Sequence, residues 1–458
     1  MTSWQPDLAG RRGPRYRAIA EALAEDVRSG ALPAGARLPT HRDLAWRLHV
    51  TVGTVSRAYA AAERRGLIAG EVGRGTYVRP LAGAAPPREA GAADVIDLSV
   101  NRPRTPSEAP ELAAALERLA AAPELPGLLE YQPHAGRLRD RAAGARWLAR
   151  SGLSAPAEEI IVTAGAQHAM ACVFATIANP GDTIAVEALT YPGMRSLAAL
   201  LHLRLAAVAM DEQGILPDGL EALCRAGTVR AAYVLPNLHN PTTATLPTER
   251  RHALAEIARR HDVLLVEDDI YGFLQATPLP PLASFAPERS FHIDATSKSL
   301  LPALRIGYVR APTPYVERIA ASLRAMIYTA PPLMAEIASQ WIEDDTGERL
   351  VLEKRAEAAR RQARLRTLFA AHDLHSDPAA AHAWLMLPPS WRAEDFAAAA
   401  RSHGVAVTPA AAFAVTRQMP NAVRLCIGTP ATMAELERGL TRLADLLATA
   451  PEPYLSVV

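Results

Sequence analysis

The chain carries 49 Lys plus Arg, yet only Lys298 and Lys354 are lysines. Arginine does nearly all the cationic work, so the lysine in Asp294-Ala295-Thr296-Ser297-Lys298-Ser299 is expected to do what a guanidinium cannot. A primary amine can lose its proton when desolvated and form a Schiff base. Small hydroxyl residues stand beside Lys298, and Arg305 follows seven residues later. An amine for an aldehyde, with donors and a fixed cation for a phosphate, is what pyridoxal phosphate requires. Lys354 lies in the charged run 348–357 and reads as part of a solvated helical face.

Further candidates recur at the ends of apolar runs. Thr163-Ala164-Gly165-Ala166-Gln167 opens a helix after a strand, and its free N–H groups suit a phosphate. Tyr191, in a loop after 183–186, offers a ring that can stack on a flat ligand. Asn240 precedes a proline at a strand end, where its amide can bind a phenolic oxygen. Glu267-Asp268-Asp269 follows an apolar strand, and a carboxylate buried there needs a cationic partner such as a protonated pyridine nitrogen.

The elements that must position these residues follow from the pattern. Apolar runs at 159–163, 183–186, 231–235, 263–266, 291–293 and 306–309 predict strands, with helices over 166–178, 194–201 and 248–260 between them. Alternating strand and helix imply an α/β fold with a mostly parallel sheet, whose ligands sit beyond the strand ends. The tail, 315–458, reads as Ala-rich helices with strands near 383–387, 405–407 and 422–427.

The first 79 residues differ in kind. They hold 13 arginines against 7 acids, whereas the remainder carries 36 basic and 41 acidic side chains. A basic head on a mildly acidic body implies an anionic partner, most simply nucleic acid. Tyr16, Ile19, Leu23 and Val27 recur at helical spacing and Gly30 ends that helix. Thr40 can cap a second helix at 42–49, and Thr51 a third through Val55 and Tyr59. Leu44, Trp46 and Leu48 read as core, and His41 and His49 as surface. Gly70–Val78 predicts a tight hairpin with Arg74 at its tip, able to meet phosphate or the minor groove. Residues 80–94 are small and Pro-bearing and read as a flexible linker.

Composition excludes other classes. Three scattered cysteines and the remaining histidines show no metal spacing. No apolar run of membrane-spanning length and no signal segment is present, so a cytoplasmic protein is expected.

Leu38–Ala45, Thr54–Tyr59 and Gly73–Val78 together resemble the winged helix-turn-helix head of GntR-type regulators. That resemblance implies double-stranded DNA as partner, with Arg42, Arg57 and Arg74 on phosphate and Thr51 and Thr54 opening the recognition helix. Val52 stands where many relatives carry arginine, and an apolar side chain there cannot read guanine bidentately. The body resembles a fold-type I aminotransferase, and the whole chain is similar to the MocR group of bacterial regulators.

That likeness implies a sheet of the seven-stranded type and a smaller α/β domain. The expected boundaries are 1–79 for the head, 80–94 for the linker and 95–458 for the body. Within the body, the large domain would span about 126–315, and 95–125 with 316–458 would form the small one. It further implies that Lys298 forms an aldimine with pyridoxal phosphate and shuttles the proton, while Asp268 holds the pyridine nitrogen. Tyr271 and Asn240 would bind the ring oxygen and Tyr191 would stack. Gly165, Ala166, Gln167, Ser297 and Arg305 would hold the phosphate, Tyr131 would reach the phosphate of a second subunit in a homodimer, and Arg424 would grip a substrate carboxylate. Relatives carry Ser or Thr where Ala295 stands, so Thr296 or Ser297 would replace that hydroxyl; Thr243 stands where glycine is common. Two readings share these residues: a regulator that senses an amino acid, an amine or the cofactor, and an aminotransferase with a regulatory head. A pure scaffold would need none of them.

Overall fold

The structure, a computed structural model, describes residues 4–6, 8, 14–29, 32, 36–64, 67–71, 75–78 and 95–449. Gly30, the hairpin tip with Arg74 and the linker 80–94 lie outside the described residues. The chain divides into two compact units, Met1–Ala85 and Pro86–Val458.

In the first unit, helix Arg15–Ser29 buries Ile19, Leu23 and Val27 at one-turn spacing. Thr40 caps His41–Arg47 by accepting the Asp43 N–H at 3.2 Å. Thr51 does the same for Val52–Arg64, accepting the Thr54 N–H at 3.2 Å. The Tyr59 hydroxyl donates to the Pro39 carbonyl at 2.9 Å and ties the third helix to the start of the second. Strands Ile68–Glu71 and Gly75–Val78 pair antiparallel, which completes the winged helix. Trp46 departs from expectation: it is 77% exposed, not core. It follows the fully buried Leu44 by two positions, roughly 200° around a helix of 3.6 residues per turn, and so faces away. Leu48 is half-buried.

In the second unit seven strands lie in the order Ile160–Thr163, Gly307–Arg310, Ser290–Ala295, Leu264–Asp268, Ala231–Val234, Thr183–Glu187 and Arg204–Val208. All pair parallel except Gly307–Arg310, which is antiparallel to both neighbours. Val266, Phe291 and Ile293 bury one face under helices Ala166–Ile177 and Thr313–Ile327, while Ala232, Val234 and Leu265 bury the other with Thr248–Arg260. Burial on both faces is why these strands read as unbroken apolar runs. Arg204–Val208, at the sheet edge, was not among the expected strands; its first residues are exposed or half-buried, so its apolar signal is weaker.

The tail forms a four-stranded antiparallel sheet from Leu374–His375, His382–Met386, Ala422–Cys426 and Thr408–Pro409. Ile96–Asp97 pairs with Val405–Ala406. Helix Glu108–Ala121 instead sends Ala115 and Leu119 into the apolar cluster around Trp147 and Ile160, beside the large sheet. The 23-residue helix Thr346–Leu368 serves both layers, with Leu350, Val351 and Ala358 in the cluster of the large sheet and Leu365 in that of the small one.

Lys354 overturns its sequence reading as a solvated side chain, because it is 1% exposed. It occupies the same stripe as Leu350, Val351, Ala358 and Leu365, so helical register carries it inward. Its ammonium pairs with Glu108 at 2.9 Å and donates to the carbonyls of Leu300 and Lys298.

Gly144, in helix Leu138–Ala149, lies against the strand Gly307–Arg310: a Cβ there would stand 2.5 Å from the Tyr308 ring. Overpacking of this kind costs about 1–3 kcal/mol and outweighs the gain of alanine in a helix. Gly144→Ala is expected to lower the urea midpoint with an unchanged m-value.

Candidate functional site

The candidate residues converge at the carboxyl edge of the seven-stranded sheet. Strand Ser290–Ala295 ends in the single turn Thr296–Ser299. Thr296 fixes that turn, since its N–H and hydroxyl both donate to the Ile306 carbonyl, at 2.9 and 3.0 Å. Its hydroxyl is thereby engaged, and of the two replacements considered for Ala295 it is Ser297 that faces Arg305, at 3.5 Å. Lys298 projects its amine to the Asn101 carbonyl. Burial, with the charges of Arg424, Arg305 and Lys354, lowers its pKa to about 8, although Cys426 opposes this. A free amine is accessible near neutrality.

The carboxylate run is sorted by strand alternation. Asp268 closes strand Leu264–Asp268 and accepts the Tyr233 hydroxyl at 2.6 Å through Oδ2. Its Oδ1 is buried without a hydrogen-bond partner among the described residues. Burial pushes its pKa up to about 6. Such an acceptor fits a buried cationic N–H. Glu267 and Asp269 serve a different network: Glu267 accepts the N–H groups of Leu282 and Ala283 and pairs with His292 at 2.8 Å, and Asp269 accepts Asn237 at 2.6 Å.

At one end of the site Gly165 opens helix Ala166–Ile177 with φ 89°. A Cβ at Gly165 would stand 3.0 Å from Arg305 Nη2, so glycine leaves room for that guanidinium to lie close over the helix start. Gln167 Nε2 donates to the Gly193 carbonyl at 3.2 Å. A Cβ at Gly193 would meet both the Gln167 amide oxygen and the Tyr191 ring at 2.3 Å, so Gly193 sets the position of that ring. Helix N–H groups, Ser297 and Arg305 form a cradle suited to a phosphate.

On the opposite side Arg424, at the centre of strand Ala422–Cys426, donates to Asn240 Oδ1 at 2.7 Å and lies 4.8 Å over the Phe413 ring. It also donates to the Ser99 carbonyl. Tyr271 is buried, its ring 5.5 Å from that of His382. The structure thus brings together Lys298, Asp268, Tyr271, Asn240, Tyr191, Arg305, Arg424 and the cradle at Gly165, Ala166 and Gln167.

Tyr131 is not brought to this set within one chain. It is 84% exposed, and its ring lies 5.0 Å from that of Tyr328. Ser99, Asn101, Tyr233 and His382 were not foreseen. Tyr233 lies inside an apolar run, and Asn101 reaches the site only because the segment after Ile96–Asp97 crosses it.

In the head, Arg42, Thr51 and Arg57 are exposed and Thr54 is half-buried, its hydroxyl 2.9 Å from that of Thr51. Arg57 lies 5.2 Å over the Tyr16 ring. Among the described residues no group of three or more His, Cys, Asp or Glu could hold a metal, and no helix is long and apolar enough to cross a membrane.

A winged helix ahead of a fold-type I aminotransferase body defines the class. Residues 93–443 match the aminotransferase class I and II family, and residues 15–78 match the gntR family of bacterial regulatory proteins. The HTH-type transcriptional regulator YdeF of Bacillus subtilis is 32% identical over 448 residues, covering 97% of each chain. The HTH-type pyridoxine biosynthesis transcriptional regulator PdxR of Corynebacterium glutamicum is 32% identical over 320 residues, 68% of each chain. A crystal structure of an archaeal alanine:glyoxylate aminotransferase superposes with a TM-score of 0.71 at 25% identity, covering 77% of this chain and 91% of that one. The chain therefore belongs to the MocR-type regulators of the GntR family.

The Glu267–His292 pair has a measurable signature. Burial alone would lower the His292 pKa, but Glu267, Asp269 and Asp294 raise it to about 9 from 6.5. A pKa raised on folding stabilises the folded chain below the unfolded value, and that contribution is lost as pH rises through the folded one. Asp294, at about 7, and Asp269, at about 6, act with the same sign from 3.8 upward, whereas the lowered Glu267 acts only at acid pH. Unfolding stability in urea is expected to fall between pH 6.5 and 8, above which the lowered Lys298 acts with the opposite sign, and His292→Gln is expected to flatten that slope.

Proposed function

We propose that this chain is a transcriptional regulator whose body binds pyridoxal phosphate through Lys298 and senses an amino compound, while its head binds an operator in double-stranded DNA. The observation that carries the cofactor reading is the unpaired, buried Oδ1 of Asp268 at the end of strand Leu264–Asp268, whose neighbour Ser290–Ala295 leads into the turn that carries the half-buried Lys298. When bound, pyridoxal phosphate supplies an aldehyde for an amine and a ring that draws electrons from an attached amino group.

The residues of this chain divide the remaining work. Lys298 Nζ provides the attachment point and, once displaced, a base of suitable pKa to hold or move a proton. Asp268 holds a proton at the ring nitrogen, Asn240 and Tyr271 bind the ring oxygen, and Tyr191 stacks on the ring. Gly165, Ala166 and Gln167 offer N–H groups to the phosphate, joined by Ser297 and Arg305. Arg424, prevented by burial and Phe413 from ranging widely, is placed to take the α-carboxylate of an amino acid as a fork. The exposed aromatic pair of Tyr131 and Tyr328 supports a homodimer in which Tyr131 reaches the partner's phosphate. In the head, Arg42 and Arg57 would neutralise phosphates, with Thr51 and Thr54 at the start of the recognition helix and Arg74 on the wing. Such a regulator works in the cytoplasm.

The retained set of Lys298, Asp268, Tyr271 and Arg424 also favours a second reading, turnover of an amino acid and a 2-oxo acid. A visible spectrum separates the two. Full conversion of the cofactor by an amino acid, reversed by a keto acid, marks an aminotransferase; a band shift without conversion marks a sensor.

Lys298→Ala is expected to remain folded and to lose all borohydride-reducible attachment of pyridoxal phosphate; retained attachment would remove Lys298 from this role. Separately, Arg57→Ala is expected to weaken DNA binding alike for all sequences and to lower the slope of log K against log salt by about 0.9. Fluorescence anisotropy across a salt series measures it, and an unchanged slope would take Arg57 off the phosphates.

A further inference from the structure

Lys354 is the second of the two lysines in the chain, and none of the roles above uses it. An ammonium has three protons to donate. Here the ammonium forms an ion pair with the Glu108 carboxylate at 2.9 Å and donates to the Lys298 carbonyl at 3.1 Å and to the Leu300 carbonyl. The two carbonyls belong to the turn Thr296–Ser299 and its exit, the groups that a short helical turn leaves without internal partners. A cation is favoured at that end.

Lys354 itself is held firmly. It rides on the 23-residue helix Thr346–Leu368 between the buried Val351 and Ala358, and Glu108 reaches it from helix Glu108–Ala121. Thr296 fixes the entry to the Lys298 turn through Ile306, and Lys354 fixes the exit. We propose that Lys354 is a positioning residue for Lys298: its ammonium, held by Glu108, clamps the carbonyls of the turn and so sets the point from which the Lys298 amine reaches into the site. This deepens the cofactor reading and rests on it for its functional meaning. Lysine suits this place because a compact point charge with three donors can meet three acceptors around it, which a planar guanidinium fork cannot.

The competing explanation is a buried ion pair that serves stability alone. The two diverge when both partners are replaced. Removing one partner leaves an uncompensated buried charge and destabilises strongly, whereas removing both is often nearly neutral. The double variant Glu108→Gln/Lys354→Met should therefore recover most of the stability lost in Lys354→Met, yet leave the turn unclamped.

Two readouts on full-length protein decide the matter. The first is amide hydrogen exchange of the segment 296–301 without cofactor, which does not depend on the cofactor reading. In the double variant that segment is expected to exchange at least tenfold faster, with the sheet strands unchanged. The second is titration with pyridoxal phosphate followed by visible absorbance, in which the apparent dissociation constant is expected to rise at least tenfold. Wild-type exchange at 296–301 together with wild-type affinity in a stably folded double variant would overturn the proposal. If the double variant does not fold, Glu108→Gln, which frees the ammonium from its anchor, is judged by the same two criteria. Failure of the wild-type chain to take up pyridoxal phosphate at Lys298 would sink the cofactor reading instead, and the exchange result would still decide whether Lys354 clamps the turn.

Discussion

Desolvation of one amine governs the body of this protein. Lys298 lies at the carboxyl edge of a sheet buried on both faces, and burial holds its pKa near 8. A lysine on an open surface would stay almost wholly protonated and would condense with an aldehyde only slowly at neutral pH. Everything that keeps water from this turn therefore acts on its chemistry: the Thr296 bonds to Ile306, the helix bearing Lys354 and the segment through Ser99 and Asn101.

Burial of so many ionisable groups requires that they be sorted. Strand Leu264–Asp268 does this by alternation, sending Asp268 to Tyr233 while Glu267 joins His292. Asp268 retains an oxygen with no partner, whereas Glu267 is satisfied by two N–H groups and an imidazole. An unsatisfied buried acceptor costs roughly 1–3 kcal/mol, which a ligand with a matching cationic donor relieves. Within a run of three carboxylates, satisfaction distinguishes the one available to a ligand from those committed to the fold. The head is built on a different economy, with capped helices, an apolar core and arginines on its surface.

Much of this was legible in the amino-acid order. Unbroken apolar runs marked six of the seven large strands because a parallel sheet covered on both faces leaves no polar side. Caps at Thr40 and Thr51 were visible because the hydroxyl that starts a helix must lie three residues from the N–H it accepts. Polar residues just beyond strand ends pointed to the site because an open α/β sheet gathers those ends along one edge.

Other features depend on contacts that no local pattern encodes. Trp46 and Lys354 both defied their side chains, one apolar and exposed, the other charged and buried, since helical register against a particular neighbour outranks residue type. The carbonyls of Ser99 and Asn101 reach Arg424 and Lys298 only because the chain crosses the site before entering the large sheet. By itself, then, the sequence determined which residues could do chemistry and on which strand ends they stand, because periodicity and capping are local. Only the tertiary structure decided which cation is clamped, which carboxylate is left open and which lysine lies beneath the other, because burial and pairing depend on residues distant along the chain.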